Sequence, residues 1–307
     1  MTRREEIHVL ETVEGAAVFL RSPDPEYRWL VPNLLERRDR LILTGNEGQG
    51  KSTLMRQFAA QISLGVHPVR LDGMAPQKGL YLDFENSKSQ TRRQFKALMP
   101  RWEEFTNEYL RLGINTESID LLRPDDRDSL RTLLDKEHPD ILITGPMYKL
   151  SSNVLDDEPM SKLLAFFDGI REAHDLAIII ETHEPHEVIG PSKEGIKSFR
   201  TARPYGSSVQ RRWPEFGYCL YDDGRFHAWR GQREERQWPV KFRRGILTTN
   251  GGDDEWPWVV DNACLNCGLE LPIGTARKYC DEKCADAFRH KKARARGSTT
   301  KKEFEIE

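Results

Sequence analysis

The sequence predicts an α/β fold: a mainly parallel sheet with helices on both faces and antiparallel strands at its end, followed by a small cysteine-bearing module. Three observations predict it. Short, almost wholly apolar runs at Arg40–Thr44, Gly79–Phe84, Ile141–Thr144 and Leu176–Glu181 alternate with amphipathic stretches, the pattern of parallel strands covered by helices. A glycine-rich turn follows the first run directly and leads into a helical pattern. Four of the five cysteines gather between Cys264 and Cys284.

Taken in order, residues 1–27 read as an amino-terminal extension and 28–246 as the main domain. After the first strand, Lys51 to Ser63 is a helix with Leu54, Phe58, Ala59 and Ile62 on one face. Gly79 to Phe84 is a second buried strand, and Lys88 to Leu98 a polar helix. A helix over Asp126–Glu137 leads to the third strand, Ile141 to Thr144. A helix over Glu158–His174 leads to the fourth, Leu176 to Glu181. Residues 183–205 are rich in Gly, Pro, Ser and Lys and predict a long loop, functional or mobile. From Phe216 to Arg244 aromatic and charged residues alternate, which predicts antiparallel strands. Residues 247–261 read as a linker, 262–296 as the cysteine module with a basic helix, and 297–307 as an unstructured tail.

Composition narrows the class. The chain has 307 residues with 47 Lys+Arg against 49 Asp+Glu, a net charge of -2. No stretch reaches the roughly 18 apolar residues of a membrane span. The opening MTRREEIHVL has no apolar segment after it, so a secretory signal is not expected and the cytoplasm is. The near-neutral total hides an asymmetry: from Arg277 to Lys302 ten basic residues face three acids. Such a basic end predicts an interaction tail.

The sharpest motif is Gly45-Asn46-Glu47-Gly48-Gln49-Gly50-Lys51-Ser52, with Thr53 after it, a G-x-x-x-x-G-K-[ST] match between strand and helix. Glycines let successive backbone N–H groups face one anion, and the helix terminus adds its dipole. In this pattern Lys51 reaches the β and γ phosphates and Ser52 ligates Mg²⁺. A chance glycine-rich turn would lack the strand and helix that flank this one.

Around that loop, WLVPNLLERRDRLILTGNEGQGKSTLMRQFAAQISLG and GLYLDFENSKSQTRRQF resemble the RecA-like P-loop ATPases of the RepA and DnaB-related hexameric helicase type, phage proteins among them. The resemblance spans about residues 28–245 and weakens beyond Gly206. It implies a RecA-like core binding ATP and Mg²⁺, assembly into a homo-oligomer such as a hexameric ring, and action on DNA, single-stranded by preference. It also implies that Glu85, beyond the second strand, is the catalytic carboxylate that orients the attacking water. A helix-capping role is the plainer alternative for Glu85, and Asp83 the weaker candidate for catalysis. His183 falls where the family senses the γ-phosphate, though a lone histidine is more often a surface residue. The neighbouring His183-Glu184-Pro185-His186 is not a zinc-protease motif. Pro204 to Ser208 and the loop before it resemble the family's DNA-facing segment, with Lys193, Lys197, Arg200 and Arg203 as phosphate contacts. Among Arg211, Arg212, Arg230, Arg233 and Arg236, the arginines chosen to reach a neighbouring subunit's nucleotide are Arg230 and Arg233. An exposed face of Arg–acid pairs is an equal alternative. One departure stands out. The third strand ends in Gly145-Pro146 where the family places an aspartate that holds Mg²⁺, so Ser52, Thr144 or Asp83 would have to assist.

In the last module, Cys264-x2-Cys267 and Cys280-x3-Cys284 are separated by twelve residues, spacing suited to four thiolates on one structural Zn²⁺. The segment ARKYCDEKCADAFRHKKARAR resembles treble-clef or zinc-ribbon modules whose second pair opens a helix. Arg289, His290, Lys291, Lys292, Arg294 and Arg296 then suit either nucleic-acid backbone or a replisome partner. Cys219 is expected in the core. The function expected is a DNA-dependent ATPase of replication or recombination, a helicase or motor. The alternative is a nucleotide-gated DNA-binding or loading factor that does not hydrolyse.

Overall fold

The computed structural model describes residues 15–23, 26–98, 108–116, 119–185, 188–192, 195–199, 203–231, 236–245, 256–261, 271, 279–287 and 289–290. Seven strands form the central sheet: β1 (Arg40–Thr44), β2 (Gly79–Asp83), β3 (Leu110–Ile114), β4 (Ile141–Gly145), β5 (Ala177–Glu181), β6 (Phe216–Leu220) and β7 (Phe226–Arg230). Their order in space is β7-β6-β1-β5-β4-β2-β3. Every neighbouring pair is parallel except β6–β7.

Alternation along the strands sends side chains to two separate cores. Leu41, Leu43, Tyr81, Ile143 and Ile179 pack with Leu54, Met55 and Phe58 of α1 (Lys51–Ser63) and with Phe95 and Leu98 of α2 (Lys88–Leu98). Ile42, Leu80, Leu142, Ile178 and Ile180 pack with Leu130 and Leu134 of α3 (Pro124–Glu137) and with Leu163, Phe167 and Ile170 of α4 (Asp157–His174). Local chemistry sets the helix ends. Pro124 opens α3 with Asp125 and Asp126 in its first turn, where acids meet the positive end of the dipole. α4 stops at Asp175, which turns left-handed and is held by Arg28 and Arg38.

The sheet departs from expectation in several places. β3 was not foreseen, because its burial pattern is that of an edge strand with Arg111 and Leu112 facing outward. β6 runs parallel to β1, and only β7 returns antiparallel. The segment expected as a loop contains Val188–Ser192 paired antiparallel with Gly195–Phe199. Trp258–Val260, inside the expected linker, pairs with Phe242–Arg244, and Trp258 is fully buried against α1 and Phe242. The amino-terminal residues before 15 and the carboxyl-terminal tail lie outside the described residues.

Arg236 shows how tertiary packing settles a residue that the sequence leaves among several arginines. Its side chain is 2% exposed, bonded to Asp39 at 2.8 Å and Glu36 at 3.3 Å. It lies over the rings of Trp29 and Phe216. An arginine so enclosed cannot extend to a neighbouring subunit. Arg236→Ala is expected to destabilise the fold by about 3–5 kcal/mol, because it leaves a buried acid unpaired. Burial pushes Asp39 from 3.8 up to about 6, against the Glu36 backbone N–H and the charge of Arg236. The folded carboxyl thus binds its proton more readily than the unfolded one, and this group's contribution to stability falls as pH rises from about 4 through about 6. Without Arg236 that decline extends to higher pH. Urea titrations at about pH 5 and about pH 7 should show the variant's deficit widening, and a deficit equal at both would contradict this account.

Candidate functional site

The phosphate loop leaves β1 at the carboxyl end of the sheet, where ligands of open α/β sheets bind. Its conformation demands glycine at Gly50, whose φ is +89°. A Cβ there would also strike the Arg244 guanidinium at 2.9 Å and the Trp258 ring at 3.0 Å. The loop is braced internally: the Asn46 backbone N–H donates to Gln49 Oε1 at 2.8 Å, and Lys51 Nζ donates to the Asn46 carbonyl at 2.9 Å.

A second brace comes from far along the chain. Trp258 Nε1 donates to the Gly50 carbonyl at 3.1 Å, and Gln57 of α1 clasps the Trp258 backbone through both N–H and C=O. The Arg244 guanidinium stacks 3.7 Å from the Trp258 ring centroid and donates to the Gln49 carbonyl at 3.3 Å. Sequence reasoning missed both residues. The WPWVV run with its neighbouring glycines reads as a turn, and only the pairing with Phe242–Arg244 brings it under the loop.

At the next strands the side chains sort by depth. Asp83, 3% exposed, accepts from the backbone N–H groups of Glu85 and Asn86 at 3.0 and 2.9 Å and from Thr91 Oγ1 at 3.0 Å. It is committed to shaping the turn after β2. Glu85 projects outward instead and accepts from the Tyr148 hydroxyl at 3.1 Å. Tyr148 sits in the turn Met147–Lys149 after β4, its ring 5.5 Å from that of His183 after β5. Its phenol is pushed up to about 12 by burial and by the adjacent Glu85, so it stays a donor at neutral pH. The fold thus gathers Glu85, Tyr148 and His183 at the same end as the phosphate loop. Tyr148 had no signal in the sequence beyond its place after Gly145-Pro146.

The space beside Ser52 is taken by Glu181, the last residue of β5. Its Oε1 accepts from Ser52 Oγ at 3.0 Å and lies 3.7 Å from Lys51 Nζ. Burial raises its pKa, and Lys51 and Ser52 oppose that shift. Neither Asp83 nor Thr144 occupies this place. Thr144 shares a strand face with Leu142, which packs with α3 and α4, the side of the sheet away from α1.

Other expected sites fall elsewhere. Arg230 pairs with Gly217 at the start of β6 and donates to the Pro214 carbonyl, away from the phosphate loop of its own chain. Arg233, Lys193 and Arg200 lie outside the described residues. Arg203 and Arg211 line a cavity of about 320 Å³ with Tyr205, Pro185 and Leu155. Cys219 is buried and donates to Glu184 Oε1 at 2.7 Å. In the carboxyl-terminal module the ligand atoms of Cys280, Asp281 and Cys284 lie within 4.8 Å of one another. Asp281 also accepts from the Cys284 backbone N–H at 2.7 Å, opening a short helix there. Cys264 and Cys267 lie outside the described residues.

A family model described as AAA domain matches residues 4–188, from before the first described residue through β5 and including the phosphate loop, Glu85 and Glu181. The chain belongs to the AAA domain family. With its mainly parallel sheet and phosphate loop, this AAA domain is a RecA-like P-loop ATPase at the level of fold and family. Among solved structures it is similar to the KaiC-like protein PH0186 from the hyperthermophilic archaeon Pyrococcus horikoshii OT3. Identity is 13%, with 77% of this chain and 94% of that chain covered and a TM-score of 0.42. No curated protein matches the sequence. No helix among the described residues is long and apolar enough to cross a membrane.

Proposed function

We propose that this AAA domain binds ATP with Mg²⁺ at Gly45–Thr53 and hydrolyses it in response to single-stranded DNA, as a helicase or helicase-like motor of replication or recombination. The residues fit the nucleotide. The glycine turn leaves backbone N–H groups for phosphate, Lys51 supplies a buried cation, and Ser52 a hydroxyl. When bound, Mg²⁺ neutralises charge on the phosphate oxygens. Glu85 orients and deprotonates the attacking water from outside the turn that Asp83 shapes, Tyr148 holds its carboxylate in place, and His183 senses the γ-phosphate.

The observation that carries the proposal is a chain of contacts from Glu85 through Tyr148 to His183, whose carbonyl accepts from the Tyr205 backbone N–H at 2.8 Å. Tyr205 is 43% exposed and stands between Arg203 and Arg211. An aromatic ring among arginines suits stacking of a base with phosphate contact on either side. DNA at Tyr205 and nucleotide at His183 would then share one backbone hydrogen bond. Ring assembly would let Arg230 or Arg233 reach the next subunit's nucleotide, and Cys264, Cys267, Cys280 and Cys284 would hold a structural Zn²⁺ that carries the basic helix to DNA or to a replisome protein.

The second reading, a loading factor that binds nucleotide without hydrolysing it, is favoured by Gly145, which removes the usual metal-holding aspartate. Steady-state phosphate release with and without single-stranded DNA separates the two. Stimulation by DNA of about tenfold or more is expected; binding of ATP with no DNA-stimulated release would sink the motor and leave the loader.

A further inference from the structure

We infer that Glu181 is the metal-holding carboxylate of this site, moved one strand over from its usual place. The inference rests on the proposed nucleotide site and deepens it.

Gly145 and Glu181 end neighbouring parallel strands on the same sheet face. Thr144 is paired with Ile180, so the next residues stand side by side, both facing α1. Gly145 has φ +149°, and a Cβ built there would lie 2.7 Å from Glu181 Cβ and 3.0 Å from its backbone N. A side chain at 145 and Glu181 as placed exclude one another. The atoms met are Cβ and backbone, so the close approach of the two strand ends is what demands glycine at 145, and the acid beside Ser52 is the one on the neighbouring strand.

The charges point the same way. Glu181 is 5% exposed, and a buried carboxylate needs a compensating cation. Lys51 and Ser52 supply the compensation here, at 3.7 and 3.0 Å. Arg56 is engaged with Tyr81 and Asp83. When phosphates draw Lys51 to themselves, Glu181 is left buried beside further negative charge. A divalent cation bound to the Ser52 hydroxyl and to phosphate oxygen answers both demands, and in P-loop enzymes that hydroxyl is a metal ligand whose partner is a strand-end acid. Glu181 is the strand-end acid within hydrogen-bonding distance of Ser52 Oγ. It holds the metal directly or through a water of its shell.

The test is binding of a fluorescent ADP to the full chain in EDTA and in Mg²⁺, for wild type and Glu181→Gln. Glutamine keeps the size and the acceptor for Ser52 but not the charge. In EDTA the variant should bind ADP at least as tightly as wild type, since a negative charge near the phosphates is gone. In Mg²⁺ it should lose the metal-dependent gain in affinity, a fall of about tenfold or more. Opposite effects in the two conditions cannot come from a merely structural role, which would weaken both. A gain in Mg²⁺ equal to that of wild type overturns the inference while leaving nucleotide binding intact, as does a wild type with no gain. No ADP binding by wild type in either condition overturns the proposed nucleotide site and this inference together. Should thermal melting show Glu181→Gln unfolded, Glu181→Asp is read in the same way: its shorter reach should reduce the Mg²⁺ gain, and an unreduced gain refutes the assignment.

Discussion

Lys51→Ala is expected to reduce ATP turnover by about two to three orders of magnitude. Its side chain is 3% exposed and its ammonium already directed into the loop by the Asn46 carbonyl, so it meets phosphate with little reorganisation. A preorganised charged donor in a water-poor site contributes roughly 3–4 kcal/mol to the transition state, and each 1.36 kcal/mol is about tenfold in rate. The same substitution leaves Glu181 with Ser52 but without its nearest cation. Nucleotide affinity should therefore fall together with turnover. Circular dichroism melting separates this from unfolding. A folded Lys51→Ala protein turning over ATP within tenfold of wild type would contradict the site.

Glu85→Gln is expected to separate binding from chemistry. Glutamine still accepts the Tyr148 hydroxyl, so the geometry at the end of β2 persists, while the base that takes the proton of water is gone. General bases contribute about 10²–10⁴ in rate. Turnover should fall by at least about a hundredfold with affinity nearly unchanged, and ATP should remain with the protein through gel filtration. Wild-type turnover in this variant would return Glu85 to a helix-capping role and leave the water without an assigned base. The contrast with Lys51→Ala is diagnostic: one variant fails to hold ATP, the other fails to release it as product.

The phosphate loop and the four main parallel strands were legible in the sequence because their causes are local. Glycines at fixed spacing allow backbone that other residues resist, and unbroken apolar runs belong to strands covered on both faces. The separation of Asp83 from Glu85 was half legible. Alternation along a continued strand would put both on one face, but the turn that Asp83 ties with two backbone N–H groups directs Glu85 outward. β3 and the Phe242–Arg244 and Trp258–Val260 pair were not legible. Each has partners distant in sequence and lacks a clean alternation of its own.

Arg236 and Glu181 mark the boundary most clearly. By sequence Arg236 is one more cation in a basic stretch, and it becomes an internal ion-pair partner only because Asp39, Trp29 and Phe216 converge on it. Glu181 ends an apolar run with nothing to distinguish it from a surface acid. The sequence by itself determined that this chain carries a phosphate-binding turn on a parallel sheet, and that the usual acid is missing at Gly145. Only the tertiary structure decided which acid stands by Ser52, because that depends on strand order. β5 lies between β1 and β4, so its last side chain on the α1 face is carried to the hydroxyl of Ser52 from a part of the chain far beyond the loop.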